Sequence, residues 1–341
     1  MKTLYTEEKL AADAYKAVLF RQKQSLPYDA KVTYAKNRAW EFYDSVENCH
    51  VSVGGLDSIT LLLFLRSIGI DVPAISVSSL EDKSIQAVHK QLGVIPLSPI
   101  KSKVAVLREF GYPVLSKEKA NKIALLQHPT EKNRTVRHAI ITGETGAYGG
   151  NRKSSKMRLP QKWLALFGGA DPEGAALGYK AAPFLVSDKC CYYLKEKPCN
   201  DYAKEHKSDP YLGLMASEGG RREKSLTING CNYYGKGTTR SAPFAIFSRQ
   251  DLLQLAIDLH APVPEIYGEI VRDDDGTLRT TGAQRTGCAM CGFGIHLEKR
   301  PHRFDRLKDK NPKEWEFWMY EMGWGAVLDY IGVSWEDAPW H

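Results

Sequence analysis

The chain has 341 residues, of which 43% are hydrophobic and 26% charged, and this composition excludes a disordered or low-complexity polymer. Lys and Arg outnumber Asp and Glu by 47 to 40, an excess that favours an anionic partner. The longest apolar run, at residues 59–65, is too short to cross a bilayer, and the first residues do not form a secretory signal pattern. We therefore expect a cytoplasmic protein with no membrane partner.

Alternating strand and helix patterns follow a helical start. Helical periodicity predicts an N-terminal helical extension over residues 1–46. From Cys49 onward a short apolar strand, a glycine turn and an apolar helix follow, and further strands are expected at residues 72–77 and 94–97. Because strands that alternate with helices form parallel sheets, residues 47–260 are predicted to be an α/β domain with a doubly wound, mainly parallel sheet.

The remainder of the chain is more mixed. Residues from about 99 to 182 include a glycine-rich stretch and predict a helical insertion in the α/β domain. Sheet character returns at residues 183–186 and 211–215. Ser248, with Asp251 three residues later, predicts the start of a helix that runs to about residue 259. Residues 261–341 are expected to form a C-terminal helical region that packs through its many aromatic side chains.

The turn after the first strand has the character of an anion-binding loop. Gly54 and Gly55 are followed by Asp57 and Ser58 at the start of a helix, and Ser52 lies just before the turn. Small residues allow backbone N–H groups at a helix N-terminus to approach an oxyanion. We expect these five residues to bind phosphate, with a simple tight turn as the alternative.

The cysteines predict a metal centre. Cys190 and Cys191 are adjacent, and Cys288 and Cys291 are separated by two residues, which gives four thiolate donors in two groups. Four thiolates suit an iron–sulfur cluster or a tetrahedral zinc ion. Adjacent cysteines fit the spacing of structural zinc sites poorly, so a [4Fe-4S] cluster is the favoured prediction and zinc the alternative.

These motifs together resemble the phosphoadenosine phosphosulfate reductase family, within the superfamily of adenine nucleotide alpha-hydrolases and N-type ATP pyrophosphatases. The tandem cysteines with the later Cys-x-x-Cys are similar to the cluster motif of adenylylsulfate reductases, and the glycine turn resembles a pyrophosphate loop. Val53 stands where that loop has a serine. The resemblance implies a Rossmann-like fold, a C-terminal region from residue 261 that contributes to cluster binding, and contacts from Arg221 and Arg222 to phosphate or sulfate.

The resemblance implies three possible activities. The first is ATP-dependent sulfur transfer, in which ATP, bound with Mg²⁺, adenylylates an acceptor such as nucleic acid, pyrophosphate leaves, and a sulfur donor protein supplies the sulfur. The second is a sulfonucleotide reductase that forms sulfite from adenylylsulfate or its 3′-phosphorylated form, with thioredoxin as partner. No cysteine follows Cys291, so the nucleophile expected for the second activity is missing. The third is a non-catalytic nucleotide sensor or a subunit of a larger complex.

Overall fold

The computed structural model describes residues 7–145, 155–235, 237–288 and 290–335. Part of the glycine-rich stretch predicted within the insertion lies outside these residues. By its internal contacts the chain divides into two compact units. The first, which we call the sheet unit, comprises Thr6–Pro99 and Lys195–Cys288. The second, the helical unit, comprises the described parts of Ile100–Leu194 and Ala289–His341.

Short strands and longer helices alternate along the chain. The strands are β1 Asn48–Ser52, β2 Ala74–Ser76, β3 Ile95–Pro96, β4 Ser208–Leu212, β5 Asn232–Gly235, β6 Thr238–Ser241, β7 Ile270–Arg272 and β8 Leu278–Thr280. The helices are α1 Glu7–Gln24, α2 Tyr28–Ser45, α3 Leu56–Ser67, α4 Lys83–Gln91, α5 Lys103–Phe110, α6 Lys117–Gln127, α7 Arg134–Thr142, α8 Gln161–Phe167, α9 Pro172–Ala176, α10 Lys189–Cys191, α11 Lys197–Glu205, α12 Gly220–Asn229, α13 Arg249–Asp258, α14 Arg303–Lys310, α15 Pro312–Glu316 and α16 Trp324–Ile331.

The sheet unit is built on a six-stranded, mostly parallel sheet with the order β3-β2-β1-β4-β6-β5. Strand β1 pairs in parallel with β2 on one side and with β4 on the other, and only the edge strand β5 is antiparallel to its neighbour. The prediction of an α/β domain with a mainly parallel sheet is thus confirmed. Because the chain leaves β1 to one side and later returns on the other, the carboxyl ends of β1 and β4 flank the crevice in which such sheets bind ligands.

The core of the sheet unit explains why these helices cover the sheet. Seven of the twelve residues of α3 are apolar and eight are buried, as expected for a helix packed directly on a parallel sheet. The predicted N-terminal helices are present as α1 and α2. From α2, Phe42 packs edge-on against Tyr211 of β4, and the Tyr211 hydroxyl donates to the Ala39 carbonyl at 2.7 Å. This contact fixes α2 on one face of the sheet.

The helical unit has its own aromatic core. Trp315, Trp318 and Trp324 are buried there, whereas Tyr320, which was also expected to pack, is 60% exposed. Trp324 packs edge-on against Tyr112 and Phe304 at ring separations of 5.1 and 5.2 Å. Among the described helices, none combines the length and apolar composition that a bilayer crossing requires.

Two expected strands differ from the structure. Residues 183–186 do not form a strand, because Phe184 is packed among the rings of the helical core and only Val186 makes an isolated bridge, to Tyr112. The strand expected at residues 211–215 is β4, Ser208–Leu212, which begins earlier and ends before Gly213. By contrast, the predicted capping box of Ser248 and Asp251 begins α13 as expected.

Candidate functional site

The loop between β1 and α3 is held in shape by the hydroxyl of Ser58. The Gly54 N–H donates to Ser58 Oγ at 2.7 Å, and Ser58 Oγ donates to the Gly55 carbonyl at 3.0 Å. Gly55 is the N-cap residue of α3, so Asp57 and Ser58 lie in the first helical turn. Ser52 is the last residue of β1. The predicted loop therefore lies at the carboxyl end of β1 and at a helix N-terminus, where the helix dipole favours negative charge.

The two glycines of the loop have different surroundings. A Cβ on Gly55 would lie 2.2 Å from the Tyr267 hydroxyl and 3.0 Å from Thr286 Oγ1, so packing within the protein requires glycine there. The Tyr267 hydroxyl also accepts the Leu56 N–H at 3.1 Å. A Cβ on Gly54 would meet only Glu81 and Ser58 atoms at 3.7 and 3.9 Å, which are ordinary contacts. Space is therefore left beside Gly54 but not beside Gly55.

Three arginines and two carboxylates gather next to the loop. Arg249 Nη1 lies 2.5 Å from Asp57 Oδ1. The Glu218 side chain, only 5% exposed, pairs with Arg222 from α12 and lies 3.7 Å from Arg285. The five side chains carry three positive and two negative charges. A guanidinium group forms two parallel N–H···O hydrogen bonds to a phosphate, as it does to a carboxylate. These arginines can therefore leave their carboxylate partners and bind an anion that enters the site.

Burial and neighbouring charges act in opposite directions on Asp57. Burial raises the pKa of its carboxyl group above the ordinary value, while the Arg249 guanidinium opposes that rise and the nearby Glu218 adds to it. The net direction is upward. Asp57 is thus a carboxylate whose ionised form depends on the cations beside it.

The other side of the loop carries a second polar network. His89 Nε2 lies 2.7 Å from the Gly54 carbonyl oxygen, and its Nδ1 lies 2.9 Å from Ser78 Oγ. The Lys195 ammonium donates to Glu81 at 2.5 Å and also to the thiol of Cys288. Burial lowers the pKa of Lys195, but Cys288 and Glu81 outweigh it and hold that pKa above its ordinary value.

The four predicted cluster cysteines are distributed between the two units. Cys190, Cys191 and Cys291 belong to the helical unit and Cys288 to the sheet unit. Cys190 is buried, and the other three are half-buried. Over the four described ranges of the chain, no three His, Cys, Asp or Glu side chains are grouped as ligands of a metal ion.

The chemistry of the donor set fits an iron–sulfur cluster. All four groups are thiols, which are the donors that such clusters take, and none of the four is fully exposed to water. Beside Cys288, the Lys195 ammonium supplies a hydrogen bond and a positive charge, the kind of neighbour that stabilises a thiolate ligand. A tetrahedral zinc ion would use the same four donors.

The structure brings together Gly54, Gly55, Asp57, Ser58 and Arg222 of the predicted site residues. Arg221 belongs to α12, but its side chain lies outside the described residues. Sequence reasoning missed Arg249, Glu218 and Tyr267. Arg249 had one available signal, because an arginine in the first turn of a helix opposes the helix dipole and so suggests an anionic neighbour.

No protein-family model matches this chain, and a search of curated proteins finds no relative of it.

Proposed function

We propose that the sheet unit binds an adenine nucleotide in a Rossmann-like fold of the adenine nucleotide alpha-hydrolase type, and that the protein is an ATP-dependent sulfur-transfer enzyme of the phosphoadenosine phosphosulfate reductase family. The observation that carries this proposal is the position of the Gly54–Ser58 loop. It lies at the carboxyl end of β1, between the two arms of the sheet, with Arg222, Arg249 and Arg285 beside it.

In this proposal the loop and the arginines hold the phosphate chain of ATP, which is bound with Mg²⁺. The space beside Gly54 admits a phosphate oxygen to the backbone N–H groups at the start of α3. Arg222 and Arg249 leave their carboxylate partners and neutralise the β- and γ-phosphates. An acceptor oxygen then attacks the α-phosphorus, the α–β anhydride bond breaks, and pyrophosphate leaves with the charge that the arginines stabilise.

The second half of the reaction replaces oxygen with sulfur. A hydrosulfide sulfur attacks the activated carbon of the acceptor, and the carbon–oxygen bond breaks so that AMP leaves with the oxygen. Cys190, Cys191, Cys288 and Cys291 are the proposed ligands of a [4Fe-4S] cluster, which when bound would activate or carry that sulfur. Lys195 would keep the Cys288 thiolate charged and oriented through its hydrogen bond.

Sulfonucleotide reduction is the second candidate, and one observation favours it. Arg222 and Arg285 each form an ion pair with Glu218 near the loop. The two guanidinium groups can bind a sulfate group as readily as a phosphate group. This candidate requires a nucleophilic cysteine, and Cys291 is already a proposed cluster ligand. A nucleotide sensor is the third candidate, and it requires binding without turnover.

Direct binding and product assays distinguish these activities. The full-length protein, kept anaerobic, is titrated calorimetrically with MgATP, adenylylsulfate and pyrophosphate. Pyrophosphate release from ATP and sulfite release from adenylylsulfate are then measured with a sulfide source, a thiol reductant, and bulk tRNA or DNA as acceptors. The proposal expects ATP binding that pyrophosphate displaces, and acceptor-dependent pyrophosphate release.

The variants Arg222→Gln and Lys90→Gln test the site itself. Arg222 lies at the loop network, whereas Lys90 is an exposed residue near the end of α4 in the same unit. We expect the first to weaken ATP binding about tenfold or more, since it removes a charge-assisted contact, and the second to leave it unchanged. Sulfite release without pyrophosphate release would establish the reductase instead, and ATP binding without either product would establish the sensor.

A further inference from the structure

The positive charge of the chain is concentrated in one segment of the helical unit. Residues 100–194 contain 16 Lys and Arg against 7 Asp and Glu, a surplus of nine, whereas the whole chain has a surplus of seven. The sheet unit contains 23 basic and 24 acidic residues. The proposed nucleotide site therefore belongs to the unit with balanced charge, and the excess needs a separate explanation.

The acidic residues of this segment are engaged with other cations. Six of the seven pair within the segment: Glu109 with Lys101, Glu118 with Lys122, Glu131 with Arg134, Glu144 and Glu173 with His138, and Asp171 with Arg137. None of these pairs uses Lys119, Lys156 or Lys162. Direct pairing with these six acidic residues therefore does not neutralise the three lysines.

Three basic side chains from separate segments converge in the helical unit. Lys119 lies in the first turn of α6 and Lys162 in the first turn of α8. The turn that carries His296 is held against the start of α6, because the Gly294 N–H donates to the Leu115 carbonyl at 2.8 Å. His296 and Lys162 both contact Trp163, with the His296 ring 5.5 Å from the indole and the Lys162 ammonium 4.8 Å from its centroid.

The surroundings of His296 are electropositive. Burial lowers the pKa of His296, and the charges of Lys119 and Lys162 lower it further. His296 Nδ1 is buried, and among the described residues it has no hydrogen-bond partner. Buried polar groups normally have a hydrogen-bond partner. A ligand that is anionic or forms hydrogen bonds could supply that partner to the His296 nitrogen beside the two lysines.

A fourth basic residue extends this surface. The Lys122 ammonium donates to the Lys156 carbonyl at 2.6 Å, which ties the segment before α8 to the side of α6. The Lys156 side chain is exposed. We call Lys119, Lys156, Lys162 and His296 the basic face.

We propose that the basic face binds the phosphate backbone of a nucleic acid strand, and that this strand is the acceptor of the proposed sulfur transfer. The three lysines come from two segments that the Lys122–Lys156 hydrogen bond ties together, and several such cations suit a polyanion with repeated charges. Trp163 is 4% exposed and covered by Lys162, so the face offers no open ring for base stacking. Binding is therefore expected to depend on phosphate contacts and little on sequence.

Salt-dependent binding of defined oligonucleotides tests this proposal. A short fluorescein-labelled single-stranded DNA, its duplex and an RNA of the same sequence are titrated with full-length anaerobic protein at several salt concentrations, in the absence of ATP. The triple variant Lys119→Gln, Lys156→Gln, Lys162→Gln keeps most of each aliphatic stem but removes three charges. The matched control, Lys36→Gln, Lys90→Gln, Lys204→Gln, removes three exposed charges from the sheet unit.

We expect the wild type and the control to bind with a steep salt dependence. The triple variant of the basic face should bind nucleic acid at least about tenfold more weakly than the wild type. For the duplex, its plot of log affinity against log salt should be less steep, with a slope about 2 to 3 smaller in magnitude. Thermal melting of both variants shows whether they remain folded. If the triple variant melts early, the double variant Lys156→Gln, Lys162→Gln, which changes only exposed side chains, is measured in its place, with a fall in the salt slope of about 2 expected.

Several outcomes would overturn the proposal. They are the absence of nucleic-acid binding at low salt, equal weakening in both triple variants, or binding of anionic phosphatidylserine vesicles but not of nucleic acid. The proposal rests on the proposed function for the role of the strand as acceptor, but its binding assay contains no ATP. Nucleic-acid binding without pyrophosphate release would therefore reject the proposed enzyme activity and support nucleic-acid binding by the basic face. ATP turnover without nucleic-acid binding would support the enzyme activity and reject the role of the basic face.

Discussion

The carboxylate of Asp57 and the guanidinium of Arg249 form an ion pair between the first turns of two helices, with 2.5 Å between Oδ1 and Nη1. Each side chain is 28% exposed, so the pair is partly shielded from water. Arg249 also donates to the Gln284 carbonyl at 3.2 Å, which fixes the guanidinium beside the loop. The pair joins α3 to α13 at the place where the proposal puts the phosphates of ATP.

Replacement of Arg249 by Gln is expected to affect both stability and binding. The change leaves the Asp57 carboxylate without its main cation, which should lower the free energy of unfolding by about 1 to 2 kcal/mol. It also removes a proposed phosphate contact, so the affinity for MgATP should fall about tenfold or more. Urea unfolding and calorimetric titration measure the two effects.

Arg279→Gln is the matched control for Arg249→Gln. Arg279 also pairs with an aspartate, Asp273, but both side chains are well exposed. Its removal should cost less than about 1 kcal/mol and leave ATP binding intact. Equal loss of ATP affinity in the two variants would contradict a specific role for Arg249.

Gly54→Ala separates ligand binding from folding at the loop. The new methyl group would meet protein atoms only at ordinary distances, so the free energy of unfolding should change by less than about 1 kcal/mol. The same methyl group would occupy the space into which a phosphate oxygen is proposed to enter. We expect ATP affinity to fall about tenfold or more while the unfolding curve stays nearly unchanged.

Two further glycine variants serve as controls, one that is expected to destabilise the protein and one that is expected to have no effect. Gly55→Ala would force the Tyr267 hydroxyl away and should destabilise the protein by about 1 to 3 kcal/mol. Gly237→Ala adds a methyl group in open space and should leave both properties unchanged. If Gly54→Ala binds ATP as tightly as the wild type does, the phosphates do not lie against this loop.

The coarse fold could be predicted because its signals are local. A strand followed by a glycine turn and an apolar helix occupies consecutive residues, and so does the capping box of Ser248 and Asp251. Each depends on backbone preferences that the sequence shows directly. By contrast, residues 183–186 are apolar whether they form a strand or fill a core, and only the rings around Phe184 decide between the two.

The surroundings of the loop could not be predicted because they come from distant parts of the chain. The Tyr267 hydroxyl accepts the N–H of Leu56, which lies 211 residues earlier, and Arg249 pairs with Asp57, which lies 192 residues earlier. Nothing in the local sequence of either residue encodes its partner. The sequence identified the loop itself, and the tertiary fold supplied most of the charged side chains around it.

Acid should destabilise the protein through His50. This side chain is fully buried in β1 beside Ser208, and burial, with a smaller effect from His206, lowers its pKa to about 4. The unfolded chain then binds a proton at higher pH than the folded protein does, so stability is lost as pH falls through the interval from about 6.5 to about 4. The loss should amount to roughly 2 to 3 kcal/mol in urea unfolding.

His50→Asn should remove most of this acid sensitivity. Asparagine does not titrate and can still bond to Ser208, so its unfolding free energy should vary less with pH than that of the wild type. His260→Asn is the control, because His260 is exposed in the same unit and its positive φ of 49° suits asparagine. The same pH profile for the wild type and His50→Asn would show that His50 is not the titrating group.

The cluster proposal predicts a defined loss of iron when its cysteines are changed. Anaerobically purified wild type should contain about four irons and four sulfides per chain and absorb broadly in the visible range. The double variant Cys190→Ala, Cys191→Ala removes two of the four proposed ligands and should lose both the absorption and the iron. Iron, sulfide and zinc analyses on the same preparations give the stoichiometry.

Cys231→Ala is the matched control for the double variant. Cys231 is also a buried cysteine, 4% exposed in the sheet unit, where it lies 4.0 Å from the Tyr34 hydroxyl. Its removal should leave iron and sulfide at the wild-type level. Stoichiometric zinc without sulfide in the anaerobic wild type would instead identify a four-cysteine zinc site, because zinc takes the same thiolates without inorganic sulfur. In that case sulfur transfer would lose its proposed carrier, while the nucleotide site around Asp57 and Arg249 would still be tested by the ATP titrations.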